Sequence, residues 1–426
     1  MVLAFTARHP KFGTIAYNAP YYTIVKSAGN DRNDEGPGPE GEHYYWDGTD
    51  WALSTTTRDP DGGADHYDCI SWYGGAKNII TVGAVGDLTG GYTTPGAVAM
   101  SAFSSWGPTD DGRIKPDIVA NGISLYSCDS DHDADYTSLS GTSMSTPDVS
   151  GSINLLIQHF EITHEGLTPL SSTIKALVIH TADEAGPNPG PDYMFGWGLM
   201  NTKKAAELIQ DDAVETARIV EESLANGEVD QYELVCDGST SIRVTLAWTD
   251  PPGTPPPASL NPTTLMLVND LDLRVEHQGN ATVYEPYILT PELPSLPAAT
   301  GDNIRDNIEQ IYIETPAAGT YTVSVSHKGT LAAQQYYSLI GSHRISNCDC
   351  ADFCDLDLNG TITPLDVTII VNFVYKQLDS RKQVQDCPGD NGNWDCEGAI
   401  TPLDVTYYVN YVYKHMGDGP CDPCIQ

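Results

Sequence analysis

The apolar pattern of the chain changes its period close to Asp211, and that change divides what most of the chain can fold into. Before it, short apolar runs such as Tyr22-Thr23-Ile24-Val25-Lys26 and Ile79-Ile80-Thr81-Val82-Gly83-Ala84-Val85 alternate with Gly-rich loops and helical stretches. Residues 143–160 and 171–181 read as the clearest helices, the second carrying Ile174, Ala176, Leu177 and Ile179. This is an α/β pattern. After the change, Ser241-Ile242-Arg243-Val244-Thr245-Leu246-Ala247-Trp248 and Gly319-Thr320-Tyr321-Thr322-Val323-Ser324-Val325-Ser326 are strand-like runs separated by turn residues, which predicts a β-sandwich. The stretch Asp250-Pro251-Pro252-Gly253-Thr254-Pro255-Pro256-Pro257 is expected to be an exposed loop within it, because proline gives a sheet no ladder donor.

A third region begins near Cys348 and repeats itself. Asn359-Gly360-Thr361-Ile362-Thr363-Pro364-Leu365-Asp366-Val367-Thr368 returns as Glu397-Gly398-Ala399-Ile400-Thr401-Pro402-Leu403-Asp404-Val405-Thr406. Asp355, Asp357, Asn359, Thr361, Thr363 and Asp366 fall at positions 1, 3, 5, 7, 9 and 12 of an EF-hand-like calcium loop, with Gly360 at the sharp turn. Asn393, Asp395, Glu397, Ala399, Thr401 and Asp404 repeat the spacing, with Asn in place of the leading Asp. After each loop Val367, Ile370, Val371 and Val374, or Val405, Tyr408, Val409 and Val412, draw a helical stripe. The chain thus divides into residues 1–209, 210–346 and 347–426, and calcium is the expected cofactor of the last part. Asn269, Asp270 and Asp272 could also supply oxygen ligands, but strand alternation sends 270 and 272 to one face and 269 to the other.

A formal charge of -37 over 426 residues repels phosphate backbones and anionic lipid, so nucleic acid and membrane surfaces are poor partners. No apolar run approaches the roughly 18 residues of a membrane-spanning helix. Seven of the ten cysteines, Cys348, Cys350, Cys354, Cys387, Cys396, Cys421 and Cys424, crowd the third region, which favours an oxidising compartment and export. Their connectivity is open. Cys421-Asp422-Pro423-Cys424 could form half a zinc site, but no second such pair stands at ligand spacing. The first eight residues lack the basic start and apolar core of a signal peptide, so the chain either stays inside or has its true start elsewhere.

Chemistry concentrates at Gly141-Thr142-Ser143-Met144-Ser145-Thr146-Pro147. A Gly-Thr-Ser before a helix is ordinarily a cap. Here the heptad resembles the nucleophile motif of the subtilisin-like serine endopeptidases, including a proline four residues after the serine. Ser27-Ala28-Gly29-Asn30 is similar to that family's oxyanion segment. Ala76-Lys77-Asn78-Ile79-Ile80-Thr81-Val82-Gly83-Ala84, Phe103-Ser104-Ser105-Trp106-Gly107-Pro108 and the run from Gly112 to Gly122 follow the family's scaffold order. The resemblance implies a partial subtilisin-like parallel-sheet domain with Ser143 as nucleophile and Asn30 as oxyanion donor. It also implies that Ser27, Ala28 and Gly29 border the pocket for a polypeptide substrate. Asp117 is expected to be structural. Asn121 stands where proline is usual, Asp148 where an apolar residue or His is common, and Ser27 where Ala is common.

The family's Asp-[Thr/Ser]-Gly and His-Gly-Thr-His signatures, which precede the serine, do not occur. His9, His43, His66, His132, His159 and His180 all lack the catalytic context, so none is assigned as base. The expectation is an N-terminally truncated serine endopeptidase that is inactive alone. The alternative is a protease relic retained as a calcium-binding surface or scaffold protein. Val244-Thr245-Leu246-Ala247-Trp248-Thr249-Asp250, the run from Leu267 to Leu273 and Pro316-Ala317-Ala318-Gly319-Thr320-Tyr321 resemble the jelly-roll domain of one subtilase branch. The repeat resembles dockerin modules, which implies a cohesin-like domain or a cell-surface component as partner and a secreted or cell-surface location.

Overall fold

The computed structural model describes residues 9–33, 43–47, 49–54, 65–130, 132–215, 218–257, 262–345, 364–371, 405–406, 409–410 and 412. The first helix, α1 (His9–Tyr17), precedes strand β1 (Val25–Ser27). A short antiparallel pair follows, β2 (His43–Trp46) and β3 (Trp51–Ser54). Then come β4 (Ile80–Val85) and β5 (Ile118–Asn121), which build a parallel sheet in the order β1-β4-β5. All six residues of β4 are buried, as the central strand of a sheet covered on its faces requires. Strands β6 (Leu125–Cys128) and β7 (Tyr136–Leu139) form an exposed hairpin. Its chain leads straight into α2 (Thr142–Thr163), whose inward stripe of Val149, Ile153, Leu156 and Phe160 packs on the sheet. Helices α3 (Ser171–His180) and α4 (Thr202–Glu215) complete the first unit.

Eight strands make most of the second unit: β8 (Ile219–Leu224), β9 (Asp230–Cys236), β10 (Ile242–Trp248), β11 (Leu271–His277), β12 (Thr282–Tyr284), β15 (Ile308–Ile313), β16 (Gly319–His327) and β17 (Gln335–Gly341). The minor pair β13 (Tyr287–Ile288) and β14 (Ala299–Thr300) lies between β12 and β15 in sequence. The eight form two antiparallel sheets, β15-β10-β17-β8 and β12-β11-β16-β9. Val244, Leu246 and Trp248 of one sheet share a core with Leu273, Val275, Val323 and Val325 of the other. The period-two reading of residues 241–248 and 319–326 therefore matches observed strands.

The two units are not beads on a string. All ten residues of α3 are buried, because its far side packs on β10 and β17, and Ala247, Ile308 and Ile340 join the core of the first unit. Polar groups cross the seam in pairs. Lys77 ion-pairs with Asp250 and donates to the carbonyl of Pro251 at 2.8 Å. Asn78 and the Asp250 backbone exchange hydrogen bonds of 2.7 and 2.9 Å. Asp250 also accepts from the N–H groups of Val268 and Asn269. These contacts correct one expectation. The proline-rich stretch is a loop, but it starts from a fully buried aspartate and stays partly buried through Gly253, because Lys77 needs its oxygens.

Asp270 and Asp272 do share a face, where both meet Lys328, while Asn269 donates instead to Gln335. That separates the three side chains as the alternation predicts, with an ammonium already between the two acids. Helix α5 (Pro364–Val371) begins at the tenth position of the first calcium-type loop, and Val367 and Ile370 on it are buried. The remaining residues of that loop, and the second loop apart from Val405 and Thr406 after it, lie outside the described residues.

Candidate active site

Gly141 is the residue before α2 and has φ of 156°, in the region that favours glycine, and no side chain caps the helix. The cap reading of Thr142 therefore fails. Thr142 turns instead to the loop after β1, where its backbone N–H and its hydroxyl both donate to Asn30 Oδ1 at 2.9 Å. A backbone N–H can only donate, so the oxygen of the Asn30 amide must face Thr142 and its NH₂ must face away. A Cβ placed on Gly141 would stand 3.4 Å from Asn30 Nδ2 and 3.6 Å from Ser143 N. Two donors thus border one small space beside Gly141.

Ser143 is exposed between the buried Thr142 and Ser145. Its N–H belongs to the first helical turn, which has no intrahelical acceptor, and the helix dipole makes that end positive. Pro147 lies inside α2 and cannot donate to the Ser143 carbonyl. The hydroxyls of Ser145 and Thr146 fold back on the Thr142 carbonyl at 3.1 and 2.7 Å, keeping the first turn intact around it. An exposed hydroxyl on a fixed turn beside two converging donors can attack a carbonyl whose oxygen enters that space.

The Asn30 loop is held by a strip that sequence reading took as scaffold. Ser105 donates its N–H to the Gly29 carbonyl at 2.9 Å and accepts from Asp31 N at 3.2 Å. Arg32 donates to the carbonyls of Ser101 and Ala102 and stacks over Trp106 at 4.1 Å. Ser27, Ala28 and Gly29 form a fixed wall. Ala28 N donates to Val82 O at 2.9 Å, its carbonyl accepts from Ser71 N at 2.7 Å, and Ser71 Oγ donates to Ser27 O at 3.1 Å. Gly29 N donates to Thr142 Oγ1 at 3.3 Å, which closes the loop onto the helix. Thr142, Arg32, Ser71 and Ser105 were not singled out by sequence. Thr142 carried a signal in its place in the heptad and Ser105 in the Phe103–Pro108 run, whereas Arg32 and Ser71 carried none.

Asp117 is fully buried between Lys115 and Lys175 and accepts from Thr81 N at 2.7 Å. Burial alone would push its carboxyl up, but the two ammonium groups hold it below the usual range. It is a structural charge, far from exposed. The described residues do contain a histidine–carboxylate pair, His164 Nε2 with Asp212 Oδ2 at 2.9 Å. It sits past the far end of the 22-residue α2, about 30 Å from Ser143 at 1.5 Å per residue, so it cannot take the serine's proton. His180 is buried under the second unit and is equally remote in role, its Nδ1 facing Thr245.

Of the expected calcium ligands, Asp355, Asp357, Asn359, Thr361, Asn393, Asp395, Glu397, Ala399 and Asp404 lie outside the described residues, and Asp366 is placed only as part of α5. Among the described residues no group of three or more His, Cys, Asp or Glu could hold a metal ion. Nor is any described helix long and apolar enough to cross a membrane. Cys69, Cys128 and Cys236 are free thiols, while the cysteines of the third region fall outside the description.

Residues 11–198 match the Subtilase family, Peptidase_S8. The chain is 26% identical over 299 residues to the serine protease/ABC transporter B family protein tagA of Dictyostelium discoideum, which covers 61% of this chain and 16% of that protein. It is 45% identical over 94 residues to the C5a peptidase of Streptococcus pyogenes serotype M3, covering 22% of this chain and 8% of the other. The prenylagaramide maturation protease PagA aligns with a TM-score of 0.31 at 20% identity, over 46% of this chain and 53% of that one. The chain spans 16% of the length of tagA and 17% of that of the related tagB protein of Dictyostelium discoideum. Residues 11–198, which hold Ser143, Asn30 and the strip that fixes them, are thus a domain of the subtilase family of serine peptidases.

Proposed function

We propose that this protein is a serine endopeptidase that cleaves polypeptides by acyl transfer through Ser143. The observation that carries the reading is the Thr142–Asn30 lock, which leaves the Asn30 NH₂ and the Ser143 N–H bordering one space. In the proposed reaction Ser143 Oγ attacks the scissile carbonyl. Its oxygen takes the negative charge in that space, and the amine leaves once protonated. Ser27, Ala28 and Gly29 form the wall along which the substrate side chain lies. The hydroxyl proton needs a base, neither His164 nor His180 is placed to take it, and the family's catalytic His signature does not occur, so these 426 residues alone are expected to be nearly inactive. Loss of the histidine from a subtilisin-type triad costs on the order of a millionfold in kcat.

A fluorophosphonate probe on the protein isolated from its natural source tests this. Rapid labelling that vanishes in Ser143→Ala supports the peptidase. A natural protein whose Ser143 reacts no faster than free serine would instead be a relic serving as a scaffold.

The second unit is proposed to be a jelly roll. Its support is the strand order, since the spatial sequence β8-β17-β10-β15 in one sheet and β9-β16-β11-β12 in the other fits a paired Greek key. The third part is proposed to bind calcium through Asp355, Asp357, Asn359, Thr361 and Asp366, and through Asn393, Asp395, Glu397, Ala399 and Asp404. A cohesin-like domain or a cell-surface component would be its partner, with a secreted or surface location. The spacing supports the calcium loops, and so does a helix starting at Pro364 with Val367 and Ile370 turned inward. Calorimetry of the whole chain with calcium and then with chelator checks it; a heat-capacity trace identical in both refutes calcium binding.

A further inference from the structure

A cavity of about 450 Å³ opens at the seam of the two units, on residues that take no part in the Ser143 site. Trp197 comes from the subtilase domain, and Tyr287 and Tyr312 come from the second unit. Glu184, Arg243 and Gln310 stand among these rings. The volume is that of a small-molecule site, and the mixture of flat apolar faces with a few planar polar groups is what such sites use for orientation.

The polar groups are fixed but not exhausted. Arg243 donates to the His180 carbonyl at 2.7 Å and lies 5.0 Å over the Tyr312 ring, so the cation position on that ring is already filled. Glu184 accepts from Gly190 N at 3.0 Å, which leaves lone pairs for a further donor. Gln310 is only 5% exposed. Its Nε2 donates to Thr245 Oγ1 at 2.9 Å, and its Oε1 accepts nothing among the described residues. That acceptor is not among the sealed, unpartnered atoms, so it is open to a donor entering the cavity that Gln310 lines.

The charge balance narrows the ligand. Arg243 already occupies the Tyr312 face that would attract a cation, and its own charge acts on Glu184, which offsets the pull of the wall's carboxylates on a second cation. The carboxylates of Glu184 and Glu314 on the cavity wall, in a chain of net charge -37, repel an anion. What remains is a neutral molecule with hydroxyl donors and acceptors around a ring whose C–H edges can lie on the negative faces of tyrosine and tryptophan. We propose that the seam cavity binds a neutral saccharide ring, with Gln310 and Glu184 accepting from its hydroxyls, Arg243 donating to them, and Tyr287, Tyr312 and Trp197 as the walls. This site is independent of proteolysis.

Titration calorimetry of the whole chain with cellobiose, maltose and N,N′-diacetylchitobiose, read in parallel with tryptophan fluorescence, tests the proposal. The expected result is saturable binding of at least one sugar with a Kd near or below about 1 mM, which corresponds to about 4 kcal/mol. Tyr312→Ala and Gln310→Leu should each weaken it at least about tenfold, worth 1.4 kcal/mol, while Ser143→Ala binds as before. Tyr312 is 37% exposed, so its variant keeps the test open if Gln310→Leu fails to fold. The proposal is overturned if none of the three saturates up to about 10 mM, ten times that Kd. It is equally overturned if Tyr312→Ala binds with unchanged affinity, or if acetate or methylammonium binds in preference to every sugar.

Discussion

The seam between the two units and the corner around Ser143 use the same polar residue types in opposite ways. At the seam Lys77, Asn78 and Asp250, and within the first unit Lys115, Lys175 and Asp117, are buried and tied to fixed partners. At the corner Asn30 commits its oxygen to Thr142 while its NH₂ and the Ser143 hydroxyl face outward. Charge that is fully satisfied in the dry interior fixes structure, because removing either partner leaves an uncompensated ion. Donors left free at an exposed helix start are available to a developing negative charge. The position of an acid or amide in sequence says nothing of which it will be. Its partners do.

The contrast can be broken at several points. If the natural protein is the proposed peptidase, Ser143→Ala should lower its kcat on the order of a millionfold with an unchanged melting temperature, measured on a peptide substrate. A comparable loss of stability would mean that the corner, too, is structural. Lys77→Met should do the reverse, costing about 3–5 kcal/mol of stability because Asp250 is left charged and buried. Urea unfolding followed by fluorescence should then move as one transition; two transitions, with only one displaced, would show that the seam does not couple the units.

Asn30→Leu should reduce kcat by roughly a hundred- to a thousandfold with little effect on KM, since only the transition state carries the oxyanion. A smaller sharpening comes from His180. Burial first, and then the charges of Arg243 and Arg218, hold its imidazole well below the ordinary value. In the unfolded chain it titrates near 6.5, so as pH falls below about 6.5 the unfolded chain takes up a proton that the folded one refuses. Stability should therefore be complete above that pH and fall below it by up to about 1.4 kcal/mol per pH unit, a slope that His180→Asn should flatten. The exposed pair Lys203–Glu207, one helical turn apart, gives the lower bound: Lys203→Ala should cost no more than about 0.5 kcal/mol.

By itself the sequence determined whatever depends on neighbours along the chain. The period of the apolar residues located β4, β10 and β16 and the two helices α2 and α3 to within a few residues, because side-chain alternation and helical stripes are short-range properties. The heptad around Ser143 and the spacing of the acidic repeat were legible for the same reason. Only the tertiary structure decided the rest. The Asn30 amide is oriented by Thr142, 112 residues away. The buried Asp250 is matched to Lys77 across 173 residues, which turned an expected surface loop into part of the seam. The aromatic cavity draws Trp197 and Tyr312 from different units. No local pattern encodes such pairings, since each residue's role is set by which distant group relieves the cost of burying its charge or its unmet hydrogen bond.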